Sequence, residues 1–224
     1  VFDQLFLSGA YAGNTINVYG SDPGFSVASN GGTHTAWEDV ALIREIPGAV
    51  ICDPADDVQM EWIIKEFLKM EGIHYVRSNR KAVRNVYKKG SSFKIGQGNI
   101  LKEGKDILII AAGQLVSEAL DCAEELEKEG YSVEVIDMFT IKPLDEKLLI
   151  KEAKGKSKIV TIENHSIYGG LGSAVSEVIA ENGISVPVKR IGVKEKFGQV
   201  GTAEFLQEEF GLTAKQIKET ICQF

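Results

Sequence analysis

Lys105–Phe139, "KDILIIAAGQLVSEALDCAEELEKEGYSVEVIDMF", decides the fold. Two apolar runs, "DILIIAA" and "SVEVIDMF", flank a segment closed by Gly130. Short continuous apolar runs read as strands buried on both faces. Two such strands joined by a helix make a parallel unit, which needs cover on both sides.

The alternation continues in both directions. Downstream come "LDEKLLIKEAKG" as helix, "SKIVTIEN" as strand, "GLGSAVSEVIAENG" as helix, "VPVKRIGV" as strand and two short helices. Upstream, "VFDQLFLSGAYAG" reads as helix, "TINVYG" as strand, "GSDPGFSVASNGG" as loop and "THTAWEDVALIREI" as helix. "GAVICD" is a strand, "PADDVQMEWIIKEFLKMEG" a helix and "IHYVRS" a strand. In that helix Met60, Ile63, Ile64, Phe67 and Leu68 fall at the spacing of a core face. A basic stretch centred on Gly90, Ser91 and Ser92 separates the two runs. The expected fold is α/β: two three-layer α/β/α domains with mostly parallel sheets, over 1–89 and 90–224. The chain opens on "VFDQ", without methionine and with no N-cap before its first helix, which reads as a first domain lacking its start.

Composition narrows the partners. With Lys+Arg 25 against Asp+Glu 32, the formal net charge is −7, so there is no global basic footprint for nucleic acid. A local cationic cluster can still take a small anion. The longest apolar run is far too short to span a bilayer, and no secretory leader is visible. Cys52, Cys122 and Cys222 are scattered, with no metal-binding spacing, and read as reduced thiols of a cytoplasmic protein.

Three places offer chemistry. In "NGGTHTAWED" (Asn30–Asp39), Thr35 and Glu38 have capping-box spacing, so a helix is expected from about Ala36 with His34 at its mouth. Gly31 and Gly32 would let a ligand approach, and free amides there favour an anion. An imidazole at that mouth can move a proton near neutral pH, or it is a loop histidine with a satisfied hydrogen bond. Asp22 and Asn30 lie in the preceding loop; Asp22 opens turn-forming Asp-Pro-Gly, and Asn30 suits a left-handed turn. The second place is Arg77, Arg80, Lys81 and Arg84. Arg77 ends an apolar strand, where α/β sheets bind ligands, and a guanidinium there suits phosphate or carboxylate. The third, "ENHSIYGGLGSAV", carries Gly170-x-Gly172 at a strand-to-helix turn without completing a dinucleotide fingerprint.

Taken together, "SNGGTHTAWEDVALIREIPGAVICDPADD", "HYVRSNRKAV", "IDMFTIKPLD" and "TIENHSIYGGLGSAVSEVI" resemble, in order, segments of the transketolase family. The first two are similar to its pyrimidine-binding domain, the last two to its C-terminal domain. The pattern looks most like the separate C-terminal subunit of two-chain enzymes of this family. The resemblance implies transfer of two-carbon ketol units between sugar phosphates, as in pentose phosphate metabolism. It implies thiamine diphosphate and magnesium, bound mainly by an N-terminal diphosphate-binding partner subunit, in a homodimer or heterotetramer. It implies that His34 contacts the donor near its reacting carbons and that Arg77 binds the acceptor phosphate, with Asp22 and Asn30 facing substrate. Asn30 replaces a family aspartate, and Asp22 stands where transketolases carry histidine and deoxyxylulose-phosphate synthases carry aspartate. The family's activating glutamate and metal-binding segment match nothing in the chain, so cofactor-binding residues are expected upstream or on the partner. Two alternatives stay open: a deoxyxylulose-phosphate synthase or 2-oxoacid dehydrogenase β-type subunit, and a non-catalytic assembly protein with a degenerate site.

Overall fold

A computed structural model describes all 224 residues. Phe2–Gln4 (α1) runs into a π-helical segment, Leu5–Tyr11. Strand β1 (Ile16–Ser21) follows, then 3-10 turns over Gly24–Asn30, α2 (Asp39–Arg44), β2 (Val50–Cys52), α3 (Asp57–Phe67) and β3 (Ile73–Ser78). Residues 79–98 hold neither helix nor strand. After them come β4 (Asn99–Lys102), β5 (Ile107–Ala111), α4 (Val116–Lys128), β6 (Val133–Asp137), β7 (Thr140–Lys142) and α5 (Glu146–Ala153). β8 (Lys158–Ser166), α6 (Leu171–Glu181), β9 (Val188–Val193), α7 (Ala203–Glu209) and α8 (Ala214–Gln223) complete the chain.

The fold is α/β, with two sheets of mostly parallel strands flanked by helices. The first sheet has the order β1-β3-β2-β7 and the second β4-β6-β5-β8-β9. The quoted stretch supplies β5, α4 and β6, and β5 is buried at every residue. Alternate side chains of such a strand enter opposite cores. Ile107, Ile109 and Ala111 pack toward α4 and α8, while Leu108 and Ile110 join a core with Ile51, Ile73 and Tyr75 of the first sheet.

β7 has too little apolar sequence to announce itself, and it lies beyond residue 90, yet it pairs antiparallel with β2. β4 likewise forms an antiparallel edge on β6. The core face expected on α3 is narrower in the structure: Ile63 and Phe67 are buried, but Ile64 and Leu68 are exposed. α2 also starts later than its sequence suggests. The carbonyls of Ala36 and Trp37 accept hydrogen bonds from Gly24 and Ser166, which holds that stretch out of a helix. Trp37 is buried with its ring edge-on to Phe210, centroids 5.0 Å apart. Thr35 donates to the Gly31 carbonyl and Glu38 accepts from the Trp37 amide, so the expected capping box does not form. No helix is long and apolar enough to cross a membrane.

Candidate active site

β1 and β3 are parallel and in register, Gly20 opposite Arg77 and Ser21 opposite Ser78. Their carboxyl ends therefore bring Asp22 and the segment after Ser78 together. This is the end of a parallel sheet where ligands bind.

Asp22 is buried and left-handed, with φ 53°. Its amide donates to the Ser78 carbonyl at 2.6 Å. Its Oδ1 accepts the Arg80 amide at 2.9 Å, and Oδ2 pairs with Arg80 Nε. Asp22 also lines a groove of about 280 Å³ with Ser26, Lys81, Arg84, Gln114 and Glu204. Arg84 is already engaged by both oxygens of Asp121.

Arg77 is placed differently from the expectation of a phosphate-facing side chain. It is 1% exposed. Nε donates to Asp39 Oδ2 at 2.9 Å, Nη1 to Asp53 Oδ2 at 2.8 Å and Nη2 to the Asn164 carbonyl at 2.9 Å. Burial works against its charge, yet Asp39 and Asp53 push its pKa above the ordinary value. Burial likewise works against the Asp39 carboxylate, but Arg77 and His165 hold its pKa below the usual range. In this position the guanidinium serves the joint between the two sheets. The exposed arginine at this strand end is Arg80.

His34 is not at a helix mouth. It sits in an exposed turn, its amide bonded to the Gly31 carbonyl, five residues before α2 begins. Nδ1 lies 2.9 Å from Thr33 Oγ1, so Nε2 is the nitrogen open to a ligand. The turn is braced from the other half of the chain: a Cβ on Gly32 would lie 2.4 Å from the Gly198 carbonyl oxygen. That close approach requires glycine. Asn30 is exposed and not left-handed; Ala28 (φ 51°) and Gly31 (φ 74°) take that conformation instead. Neither Asn30 nor His34 lines the groove that Asp22 lines.

Beneath these loops lies a buried polar cluster that the sequence pattern did not assemble. Asn164 donates from Nδ2 to the Pro23 carbonyl, and its Oδ1 accepts the Phe25 amide. Glu163 accepts the amides of Leu171 and Gly172 at the start of α6. Burial pushes the Glu163 carboxyl up to about 7, against the pull of those amides. Burial drives His165 down to about 4, with Arg77 acting in the same sense. His165 is therefore a neutral imidazole at physiological pH. The glycines of "YGGLG" serve helix–strand packing and the Glu163 cap: a Cβ on Gly170 would lie 2.0 Å from Glu163 Oε2. The missed residues had a signal in part. Asp53 follows an apolar strand just as Arg77 ends one, and the strand-end rule applies to both.

No group of three or more His, Cys, Asp and Glu side chains could hold a metal ion. The strand-end groove has one aromatic wall residue, Phe25. These residues do not by themselves fit a metal-bound diphosphate cofactor.

Residues 96–217 match the transketolase C-terminal domain family. The 6-deoxy-6-sulfo-D-fructose transketolase subunit SqwH of Clostridium sp. is 42% identical over 97% of this chain and 67% of its own length. An apulose-4-phosphate transketolase subunit of Phocaeicola vulgatus is 34% identical over 99% of this chain and 71% of its own. Among solved structures, a split gene transketolase described as an inactive beta4 tetramer superposes with TM-score 0.89. It is 35% identical over 99% of this chain and 70% of that chain. With strand-end loops, two-sheet architecture and near-complete coverage in agreement, the chain belongs to the transketolase family, as a relative of the separate C-terminal subunits of split transketolases.

Proposed function

We propose that this chain is the C-terminal subunit of a thiamine-diphosphate-dependent enzyme that moves two-carbon ketol units between sugar phosphates, working with an N-terminal, diphosphate-binding subunit. The observation that carries this reading is the 42% identity to a transketolase subunit across 97% of the chain. The geometry supports the division of labour. Exposed His34 offers a free imidazole nitrogen, and exposed Arg80 offers a cation at the strand ends. Thiamine diphosphate, when bound, would supply the carbon-bond chemistry; it and magnesium would be held mainly by the partner.

Within this division, His34 orients the donor and moves a proton at Nε2. Arg80 takes the terminal anionic group, because Arg77 is already committed to Asp39 and Asp53. Asp22 and Asn30, on the segment that leads from β1 to His34, contact substrate. The split-gene relative is an inactive tetramer of one subunit type, which accords with a chain that needs its partner.

The test is reconstitution. The chain is mixed with a diphosphate-binding subunit, thiamine diphosphate, magnesium, a ketose phosphate and an aldose acceptor. Ketol transfer is expected in the complete mixture alone. Transfer by this chain alone would overturn the division of labour. Consumption of pyruvate with no use of any ketose would replace the reaction with that of a deoxyxylulose-phosphate synthase.

A further inference from the structure

The second sheet reverses its winding beside β5: the chain passes from β5 through α4 to β6 on one side, while β8 lies on the other and leads on to β9. A parallel sheet takes its ligands in the crevice at the carboxyl ends of two such strands. Here that crevice is filled from within the chain. The amides at the start of α6, which could hold an anion, are taken by Glu163. The loop after β5 is bonded to the first half, Gly113 donating to the Asp53 carbonyl at 3.0 Å. The ends of β5 and β8 then present two carboxamides, Gln114 and Asn164, to the turn that follows β1. Asn164, 2% exposed, donates from Nδ2 to the Pro23 carbonyl at 2.9 Å, and its Oδ1 accepts the Phe25 amide at 3.2 Å. Gln114 Nε2 donates to Ser26 Oγ at 2.8 Å. A Cβ on Gly24 would run into Asn164 Oδ1, and the Phe25 ring is buried in the core that α4 covers.

We propose that Asn164 and Gln114 are positioning residues for the turn after β1, through which the second half of the chain sets how Asp22 meets the sugar. The identity of the ligand rests on the proposed function; the grip on the turn is a property of this chain alone. Asn164 satisfies an acceptor and a donor two residues apart, so it fixes the backbone immediately past Asp22. Gln114 fixes the far side of the turn at Ser26. Asp22 (φ 53°) and Gly24 (φ 57°) both have left-handed backbones, a path held by the Asn164 bonds on either side of Gly24. The main-chain carbonyl of Asn164 accepts Arg77 Nη2, so one residue of β8 holds both the turn after β1 and the end of β3. Asn164 is absent from the lining of the groove and acts only through the turn, whereas Gln114 lines it, and its test separates the two roles. A misplacement of about 1 Å in a binding group can cost about a hundredfold in rate. The second sheet thus uses its ligand edge to aim a loop of the first.

Asn164→Ala removes both side-chain bonds and leaves the carbonyl for Arg77. Gln114→Ala, at a half-buried position, removes one bond. In Gln114→Glu the carboxylate accepts from the Ser26 hydroxyl, which can donate as well as accept. Amide hydrogen exchange of the full chain is read at Phe25, with thermal melts as the check on folding. In the chain reconstituted with the diphosphate-binding subunit, kcat/KM is measured for a ketose phosphate. Asn164→Ala should lose protection at the Phe25 amide and lower kcat/KM about ten- to a hundredfold. Gln114→Ala should lower it about two- to tenfold, and Gln114→Glu should recover most of that loss. Unchanged protection at Phe25 in Asn164→Ala overturns the proposal, as do kcat/KM values within about twofold of the unaltered chain in both alanine variants. An equal loss in Gln114→Ala and Gln114→Glu overturns it for Gln114, whose side chain would then act in the groove and not through Ser26. Should Asn164→Ala melt below the assay temperature, the Gln114 pair decides. If the unaltered mixture transfers no ketol unit, the proposed function fails, while exchange at Phe25 still decides whether Asn164 grips the turn.

Discussion

Arg77 Nη1 donates to Asp53 Oδ2 at 2.8 Å, with side-chain exposures of 1% and 7%. The pair links β3 to the end of β2, and Nη2 carries the link onward to the Asn164 carbonyl on β8. A charge so placed cannot be removed without leaving Asp39 and Asp53 buried together. Losing one member of a buried pair costs about 3–5 kcal/mol. Arg77→Ala is expected to lower the unfolding free energy by that amount in denaturant titrations. A variant with an unchanged midpoint and only a raised KM would return Arg77 to a direct substrate role.

The contrast between Arg77 and Arg80 shows what sequence could and could not supply. Three residues apart at one strand end, both satisfied the rule that cations there meet anions. Which one is buried depends on Asp39 and Asp53, 38 and 24 positions away in sequence. The β5–α4–β6 unit was legible because its periodicities are local. The short β7 was not, because its place beside β2 is decided by the other sheet. Capping shows the same limit. Thr213 and Gln216 form a capping box on α8, whereas Thr35 and Glu38, equally well spaced, do not. The difference is Trp37, whose burial and carbonyl bond to Ser166 draw the chain away from a helical path.

Glu163 gives a pH signature. Its carboxyl is raised from 4.5 to about 7 in the fold, so the folded chain holds a proton that the unfolded chain has released. Its contribution is fully present below about pH 4.5 and is lost as pH rises toward 7. His165, lowered from 6.5 to about 4, acts in the opposite sense over an overlapping range. Glu163→Gln should therefore make stability climb more steeply with pH between these limits than in the unaltered chain. Urea unfolding at several pH values checks this, and parallel curves for the two proteins would refute it.

The His34 turn leans on the segment after β9. A Cβ on Gly198 would fall 2.3 Å from Thr35 Oγ1. Gly198→Ala should cost about 1–3 kcal/mol through overpacking and displace the His34 ring resonances in NMR spectra. His34→Ala, at an exposed position, should stay within about 0.5 kcal/mol of the original stability while reducing ketol transfer in the reconstituted enzyme. Unshifted His34 resonances in Gly198→Ala would mean that the brace does not set the histidine.

Arg80→Ala should behave as the mirror image of Arg77→Ala. Its head group is exposed but is the one side-chain cation on the buried Asp22 carboxylate, which keeps the residue-80 backbone amide, so stability should fall, by less than in Arg77→Ala, which strips two buried carboxylates. A charge-assisted contact to a substrate oxyanion is worth about 1.5–3 kcal/mol, or roughly ten- to a hundredfold in kcat/KM. That loss should fall on sugars with a phosphate or sulfonate end and spare the uncharged sugar, because only the former present an anion to the strand ends. Measuring kcat/KM for a phosphorylated and an unphosphorylated ketose in the reconstituted enzyme separates the cases. Equal losses on both would mean that Arg80 shapes the loop without meeting the substrate's charge. The combination of the smaller stability loss in Arg80→Ala with a charge-selective loss of activity, against the larger stability loss in Arg77→Ala, would divide the two arginines into one that binds and one that holds the sheets together.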